Sequence, residues 1–469
     1  MYTNRRDFLR KSITSALGGI GLYSVFGNLQ LMAANANLRS NTFNDYKALV
    51  CVYLYGGNDS FNTIVPYDNT GYTAYAESRQ ALALPQEKIQ QNNLIATVAE
   101  NGLIGGTPSD GGDYGLHPAM PELRELFNNG KAAIVSNVGT LLYPITKTQY
   151  QNHSVGTPPQ LFSHSDQMNY WQTSRPDNND ANGWGGRIAD LLHAANNDKL
   201  PMSISLLGNN RFQRGASTSP YSVNSRGVPT VEYLHMDGNN AGTHAFNTLL
   251  TDTLHTHKLE RTYASVLKKA VDTSDILSNL LTHTPSFVTQ FPTSTLGTQL
   301  AMTAKLIATR TTLGLNRQIF YVGAFGYDTH GGQLNIHDEN LSDLSKSLKA
   351  FYEATVELGI ADSVTTFTAS DFGRSLAINE DGTDHGWGGH HFIIGDAVRG
   401  QRFYGKMPNL SKTNNPDDTG LGQIIPTIAV DQYAATLASW FGVDNDGIRD
   451  IFPNIGRFNG ANMQFFKNR

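Results

Sequence analysis

The sequence is poor in cysteine, in charge and in long apolar runs. A single cysteine, Cys51, stands among 469 residues, so no disulfide can close within the chain. It lies in the apolar run Ala48-Leu49-Val50-Cys51-Val52-Tyr53-Leu54-Tyr55, where a small buried hydrophobe is expected. One thiol is also compatible with an oxidising compartment. Charged residues make up 16% of the chain, against about 25% in an average globular protein. The 39% hydrophobic and 10% aromatic content nevertheless excludes wholesale disorder, which needs low hydrophobicity and high net charge. A net charge of −5 argues against nucleic acid as a partner. No glycine-rich phosphate loop of the nucleotide type follows a strand-like run, which argues against an NTPase or a nicotinamide enzyme.

The N-terminus carries a targeting pattern. Asn4-Arg5-Arg6-Asp7-Phe8-Leu9-Arg10 resembles the twin-arginine export motif, and a mildly apolar stretch from Ile13 to Met32 follows it. Ala34-Asn35-Ala36 then has the form of a cleavage site. Gly18, Gly19, Gly21, Gly27, Asn28 and Gln30 make the stretch a poor anchor, since a span needs about 20 predominantly apolar residues. The expectation is a signal peptide over 1–36 and a mature chain beginning at Asn37. Its export partner would be the twin-arginine translocase and its destination periplasmic or secreted, with no stable membrane span after processing.

Along the mature chain, short β-branched apolar runs read as strands over Lys47–Tyr55, Ala132–Val138, Met202–Leu207, Ile319–Phe325, Val364–Ala369 and His391–Ile394. Helical patterns fall between them, over Pro118–Phe127, Gly183–Ala195, Leu254–Leu281, Ser294–Leu313, His337–Leu358 and Asp431–Phe441. The clearest places Leu341, Leu344, Leu348 and Phe351 at three-to-four spacing, with Gly359 as a stop. Strands alternating with helices predict an α/β fold with a mainly parallel central sheet and helices on both faces. The expectation is a single domain over 37–469. The Gly-, Ser- and Asn-rich region 209–242 reads as a loop-rich insertion or a lid.

Polar residues gather where predicted strands end. The first run leads into Gly56-Gly57-Asn58-Asp59-Ser60, the fourth into Gly326-Tyr327-Asp328-Thr329-His330, and the fifth into Ser370-Asp371-Phe372-Gly373-Arg374. Gly382-Thr383-Asp384-His385 follows. If these strands are parallel, all the clusters lie on one sheet edge, where open α/β sheets bind ligands. Asp328 and His330 are two residues apart, so an extended chain presents both to one side. Carboxylates with neutral imidazoles suit zinc or a similar divalent metal. Arg374 has the fork geometry to clamp a phosphate or sulfate. His117 and His153 read as cap or surface residues. In a strand, one of His390 and His391 would face the site and the other the opposite side. Trp171 and Trp387 are candidates either for stacking on a substrate or for closing the core.

The leader, Gly56–Asn62, Leu116–Gly139, Ser163–Thr173, Gly326–Gln333, Ala369–Arg374 and Gly382–Gly400 together resemble the DUF1501 family, in its order and over nearly the whole mature chain. That family is in turn similar, more distantly, to the alkaline phosphatase and sulfatase superfamily. The resemblance implies an alkaline phosphatase-like fold and an exported metal-dependent hydrolase of phosphate or sulfate esters, acting on a small-molecule or polysaccharide ester. It implies Ser163 as nucleophile, activated by a divalent ion (zinc, manganese or calcium) on Asp59 and Asp371. A second ion would lie on Asp328, His330 and His385, and Arg374 would neutralise charge on the substrate oxygens. Asp384 precedes His385 as in an Asp-His pair. Phe372 departs from the pattern, because it stands where the superfamily typically has a metal-binding histidine. One ion could then be lost, or held differently by His164. The rival expectation is a non-catalytic periplasmic binding or assembly protein on a degenerate fold of the same kind.

Overall fold

Lys47–Leu54 form the strand β1, buried along nearly its whole length. Ala48, Val50, Val52 and Leu54 join one hydrophobic core and Leu49, Cys51 and Tyr53 a second, so the run is apolar throughout because both faces are covered. Cys51 is free and buried there, as its neighbours imply. The computed structural model describes residues 43–99, 103–178, 182–196, 200–228, 241–251, 256–284 and 286–467. The expected signal peptide over 1–36 lies outside them.

The remaining strands of the sheet are β2 (Ala132–Gly139), β3 (Ser203–Ser205), β4 (Tyr221–Ser222), β5 (Arg317–Ala324), β6 (Val364–Ser370), β7 (Gly389–Ile394), β8 (Phe403–Tyr404) and β9 (Ile428–Ala429). The nine strands run in the order β8-β2-β7-β6-β1-β5-β3-β4, with β9 also paired to β2. β1 pairs in parallel with β5 on one side and β6 on the other. Among the described strands of this sheet, only β7 is antiparallel to its neighbours, β2 and β6. The sheet is therefore mostly parallel, and its helices lie on both faces.

On one face pack α1 (Pro121–Asn128), α4 (Thr295–Ala308) and α5 (Gln333–Glu357). The opposite face carries α2 (His164–Thr173), α3 (Trp184–Leu191) and α6 (Val430–Phe441). The predicted apolar stripe of α5 is the buried one: Leu341, Leu344, Leu348 and Phe351 are at most 1% exposed. Each such side chain contributes about 1.5–3 kcal/mol by leaving water. Gly359 stops the helix at φ +67°, where its N–H donates to Val356 and that of Ile360 to Thr355, closing the last turn.

Two expected helices differ in extent. The 294–313 segment breaks after Ala308 and resumes as a short turn over Arg310–Leu313. The long helix expected from Leu254 is described over Lys258–His283. In the 209–242 region, Phe212 is buried in the core against Trp184, Tyr321 and Phe367, Gln213 is buried with its amide donating to the Ile204 and Ile319 carbonyls, and Tyr221–Ser222 supply β4. Residues 229–240 of that region lie outside those described. No described helix is long and apolar enough to cross a membrane.

Candidate metal centre

The parallel register of β5, β1 and β6 brings the chain after each strand to the same edge. Gly56, at φ +111°, lies so close to Asp328 that a Cβ there would collide with the Asp328 backbone nitrogen. Its N–H donates to Asp371 Oδ2 at 3.1 Å and its carbonyl accepts from Arg374 Nη1 at 3.0 Å. One glycine thus ties together the ends of all three strands, and a side chain would have no room.

Asp328 is the hub. Its Oδ1 accepts from Arg374 Nη1 at 2.6 Å and lies 2.9 Å from His330 Nδ1, 3.3 Å from His164 Nε2 and 3.6 Å from His385 Nε2. Partial burial pushes the Asp328 carboxyl upward, but the adjoining Arg374 guanidinium and the imidazoles outweigh this and hold it below the usual carboxylate range. His330 Nε2 approaches Asp384 Oδ1 at 3.5 Å. His164, Asp328 and His385 form one group of potential ligand atoms within 4.8 Å of each other; His330, Asp384 and His385 form another that shares His385.

The imidazoles are oriented from behind. His164 Nδ1 meets Asp371 Oδ2 at 2.8 Å, and this hydrogen bond raises the His164 pKa above its ordinary value, against the opposing effect of burial. His164 Nε2 is buried and forms no hydrogen bond among the described residues. His385 Nδ1 donates to the Phe162 carbonyl at 2.6 Å, which leaves Nε2 with a free lone pair. Burial holds the His385 pKa below its ordinary value, which favours the neutral ring. Phe162 itself sits at φ +71°, an unfavourable conformation for a bulky residue and of the kind that gathers at functional sites. Phe372 packs 4.8 Å from the His164 ring and 4.9 Å from that of His385, and the two imidazoles meet each other edge to face at 4.2 Å.

These residues fit a divalent ion. Metal-ligating histidines give their second nitrogen to a carboxylate or a backbone carbonyl, the two arrangements seen at His164 and His385. Two imidazole nitrogens and one carboxylate form a three-ligand set that leaves room for a further ligand. The nitrogens favour zinc over calcium, which takes oxygen ligands.

The other predicted site residues are placed as follows. Asp371 is buried beneath His164. Asp59 is fully buried, accepting from the Phe61 and Asn62 N–H groups at 3.1 and 3.3 Å and from Arg79 and Gln333. Arg374 is fully buried too, its guanidinium directed to Asp328, Gly56 and Thr383. Ser163 precedes α2 and its hydroxyl donates to Asp166 Oδ2 at 2.6 Å.

His390 and His391 are both buried away from this cluster: His390 accepts from the Asn137 N–H, and His391 packs on Trp171. Trp171 and Trp387 close the core. His117 is buried rather than superficial, accepting from the Ala119 N–H, with burial lowering its pKa to about 4. His153 is exposed. The residue that sequence reasoning underweighted is His164, whose signal was its place in Ser-His-Ser-Asp at a helix start.

Several solved structures are similar to this chain at low TM-scores. Ps i-CgsB in complex with k-i-k-neocarrahexaose is 9% identical, with 89% of this chain and 77% of that chain covered at a TM-score of 0.33. The PsFucS1 sulfatase from Pseudoalteromonas sp. is 9% identical, with 86% and 68% covered at a TM-score of 0.30. Likeness at this level does not carry their activities to this chain. No curated protein matches the sequence. The family model described as "Protein of unknown function (DUF1501)" matches residues 46–432, and the chain belongs to that family.

Proposed function

We propose that the protein is an exported hydrolase of sulfate or phosphate esters that works with a divalent ion on His164, Asp328 and His385. The observation that carries this reading is the convergence of His164 Nε2, His385 Nε2 and Asp328 Oδ1, with each imidazole already locked from behind. A bound ion would polarise the ester and neutralise charge on its oxygens.

The chain's own groups do the rest. The Ser163 hydroxyl attacks sulfur or phosphorus, and Asp166, already its hydrogen-bond acceptor at 2.6 Å, takes the proton. His330 is 43% exposed and bracketed by Asp328 and Asp384, so it is the group suited to protonate the departing alkoxide. Water then releases the seryl ester, with His330 taking the proton from water and Asp166 returning its proton to the Ser163 oxygen. Asp371 keeps His164 in the tautomer that presents Nε2, and Arg374 holds Asp328 in place.

The test is a panel of chromogenic sulfate and phosphate esters, given to the mature protein supplied with zinc or manganese. Turnover by the wild type, lost in Ser163→Ala with metal retained, is the expected result. Failure to cleave any ester, or an unaffected Ser163→Ala, would overturn it. Metal binding without turnover would support the rival reading of a non-catalytic binding protein. Phe372, wedged against both imidazoles, is the observation in favour of that reading.

A further inference from the structure

Asp59 is turned inward, and its capacity is full. A carboxylate has about four lone-pair sites, and four donors occupy them: two backbone N–H groups on Oδ1, with Arg79 Nη2 and Gln333 Nε2 on Oδ2. Arg79 cannot swing away, because it also donates to Asn62 Oδ1 at 3.1 Å and to the Ser375 and Leu376 carbonyls at 3.0 and 3.2 Å. The cation that balances Asp59 is therefore built into the chain.

From Asp59 the hydrogen bonds run on to the candidate centre. Gln333 Oε1 accepts from Thr329 Oγ1 at 3.0 Å and from Thr383 Oγ1 at 2.6 Å. Thr383 Oγ1 accepts in turn from Arg374 Nε at 2.9 Å, and Arg374 Nη1 reaches Asp328 Oδ1 at 2.6 Å. Arg79, Asp59, Gln333, Thr383 and Arg374 are all 0% exposed. An amide at 333 serves both directions, donating to the carboxylate and accepting from the hydroxyls. Such a buried, satisfied network fixes geometry because each alternative leaves a polar group unpaired.

Resting on the metal-centre reading above, we propose that Asp59 is no ion ligand but the buried anchor of a positioning assembly. In that assembly Gln333 and Thr383 hold Arg374 against Asp328, and the centre takes a single divalent ion. Thr383 is a positioning residue: it sets the orientation of the Asp328 carboxylate without touching the ion.

Calorimetric titration of the mature chain with zinc or manganese tests this, alongside thermal melts in chelator. The wild type and Asp59→Asn should each bind one equivalent. Thr383→Val, which keeps the shape and loses the hydroxyl, should bind tenfold or more weakly, and Thr383→Ser should restore the wild-type affinity. A purely structural threonine would lower the chelated melting temperature and leave the affinity of the folded protein unchanged. Two equivalents in the wild type, falling to one in Asp59→Asn, would overturn the proposal, as would wild-type affinity in Thr383→Val. Absence of any binding by the wild type would remove the metal-centre reading together with this one. Normal wild-type binding with an unaffected Thr383→Val would remove this one alone.

Discussion

Replacing Asp371 by asparagine nearly preserves shape and removes the charge that orients His164. In the wild type, Oδ2 accepts from His164 Nδ1 at 2.8 Å and from the Gly56 N–H at 3.1 Å, on a residue only 4% exposed. Hydrogen bonds to charged groups are worth about 1.5–3 kcal/mol, and that is the expected loss of stability in the metal-free protein. Asparagine can also present an N–H to Nδ1, which would move the ring proton to Nε2 and block that nitrogen as a ligand. Losing such a supporting partner typically costs 10–100-fold in metal affinity.

The pH dependence has a definite sign. Asp371 raises His164 above its ordinary 6.5. The pairing therefore stabilises the fold fully below about pH 6.5 and fades as pH rises through the raised value. Melts in chelator should show Asp371→Asn furthest below the wild type on the acid side, with a smaller gap at pH 9. Metal affinity of the wild type should fall on acidification, because an imidazolium cannot ligate. An Asp371→Asn protein that binds zinc as tightly as the wild type would refute the reasoning.

Asp431 is 1% exposed, and burial pushes its carboxyl up from 3.8 to about 7. The unfolded chain gives up this proton first, so stability falls as pH rises from about 4 to 7. Asp431→Asn should recover at most roughly 4 kcal/mol at pH 8; a denaturation midpoint at pH 8 no higher than the wild type's would count against it. Arg79→Met leaves Asp59 buried without its counter-ion and should cost about 3–5 kcal/mol, and an unchanged unfolding curve would show that the pair is not coupled to folding. Arg5→Lys with Arg6→Lys should leave unprocessed precursor in the cytoplasm; normal processed protein in the periplasm would contradict the export route.

What the sequence made legible followed from burial. The run at Lys47 reads as a strand because both of its faces are covered, and the α5 stripe reads as a helix because one face is. Direction is not written in an apolar run, so nothing marked β7 as antiparallel. The start of α5 was missed by four residues for a related reason. Gly332 caps it without a side-chain hydrogen bond, and Gln333, which opens it, spends its amide on the buried network instead.

The candidate site was legible as residue types at strand ends, but not as partnerships. His164 meets Asp371 across 207 positions, and Arg374 meets Asp328 across 46. No spacing rule links such pairs, so neither the hold of Arg79 and Gln333 on Asp59 nor that of Arg374 on Asp328 could be read from the sequence.

The most direct test is an anomalous diffraction map from crystals of the mature protein soaked in zinc or manganese. One peak per chain is expected, about 2.0–2.2 Å from His164 Nε2, His385 Nε2 and an Asp328 oxygen, and no peak at Asp59. A map without any peak at these residues, or with its peak on Asp59, would contradict this expectation.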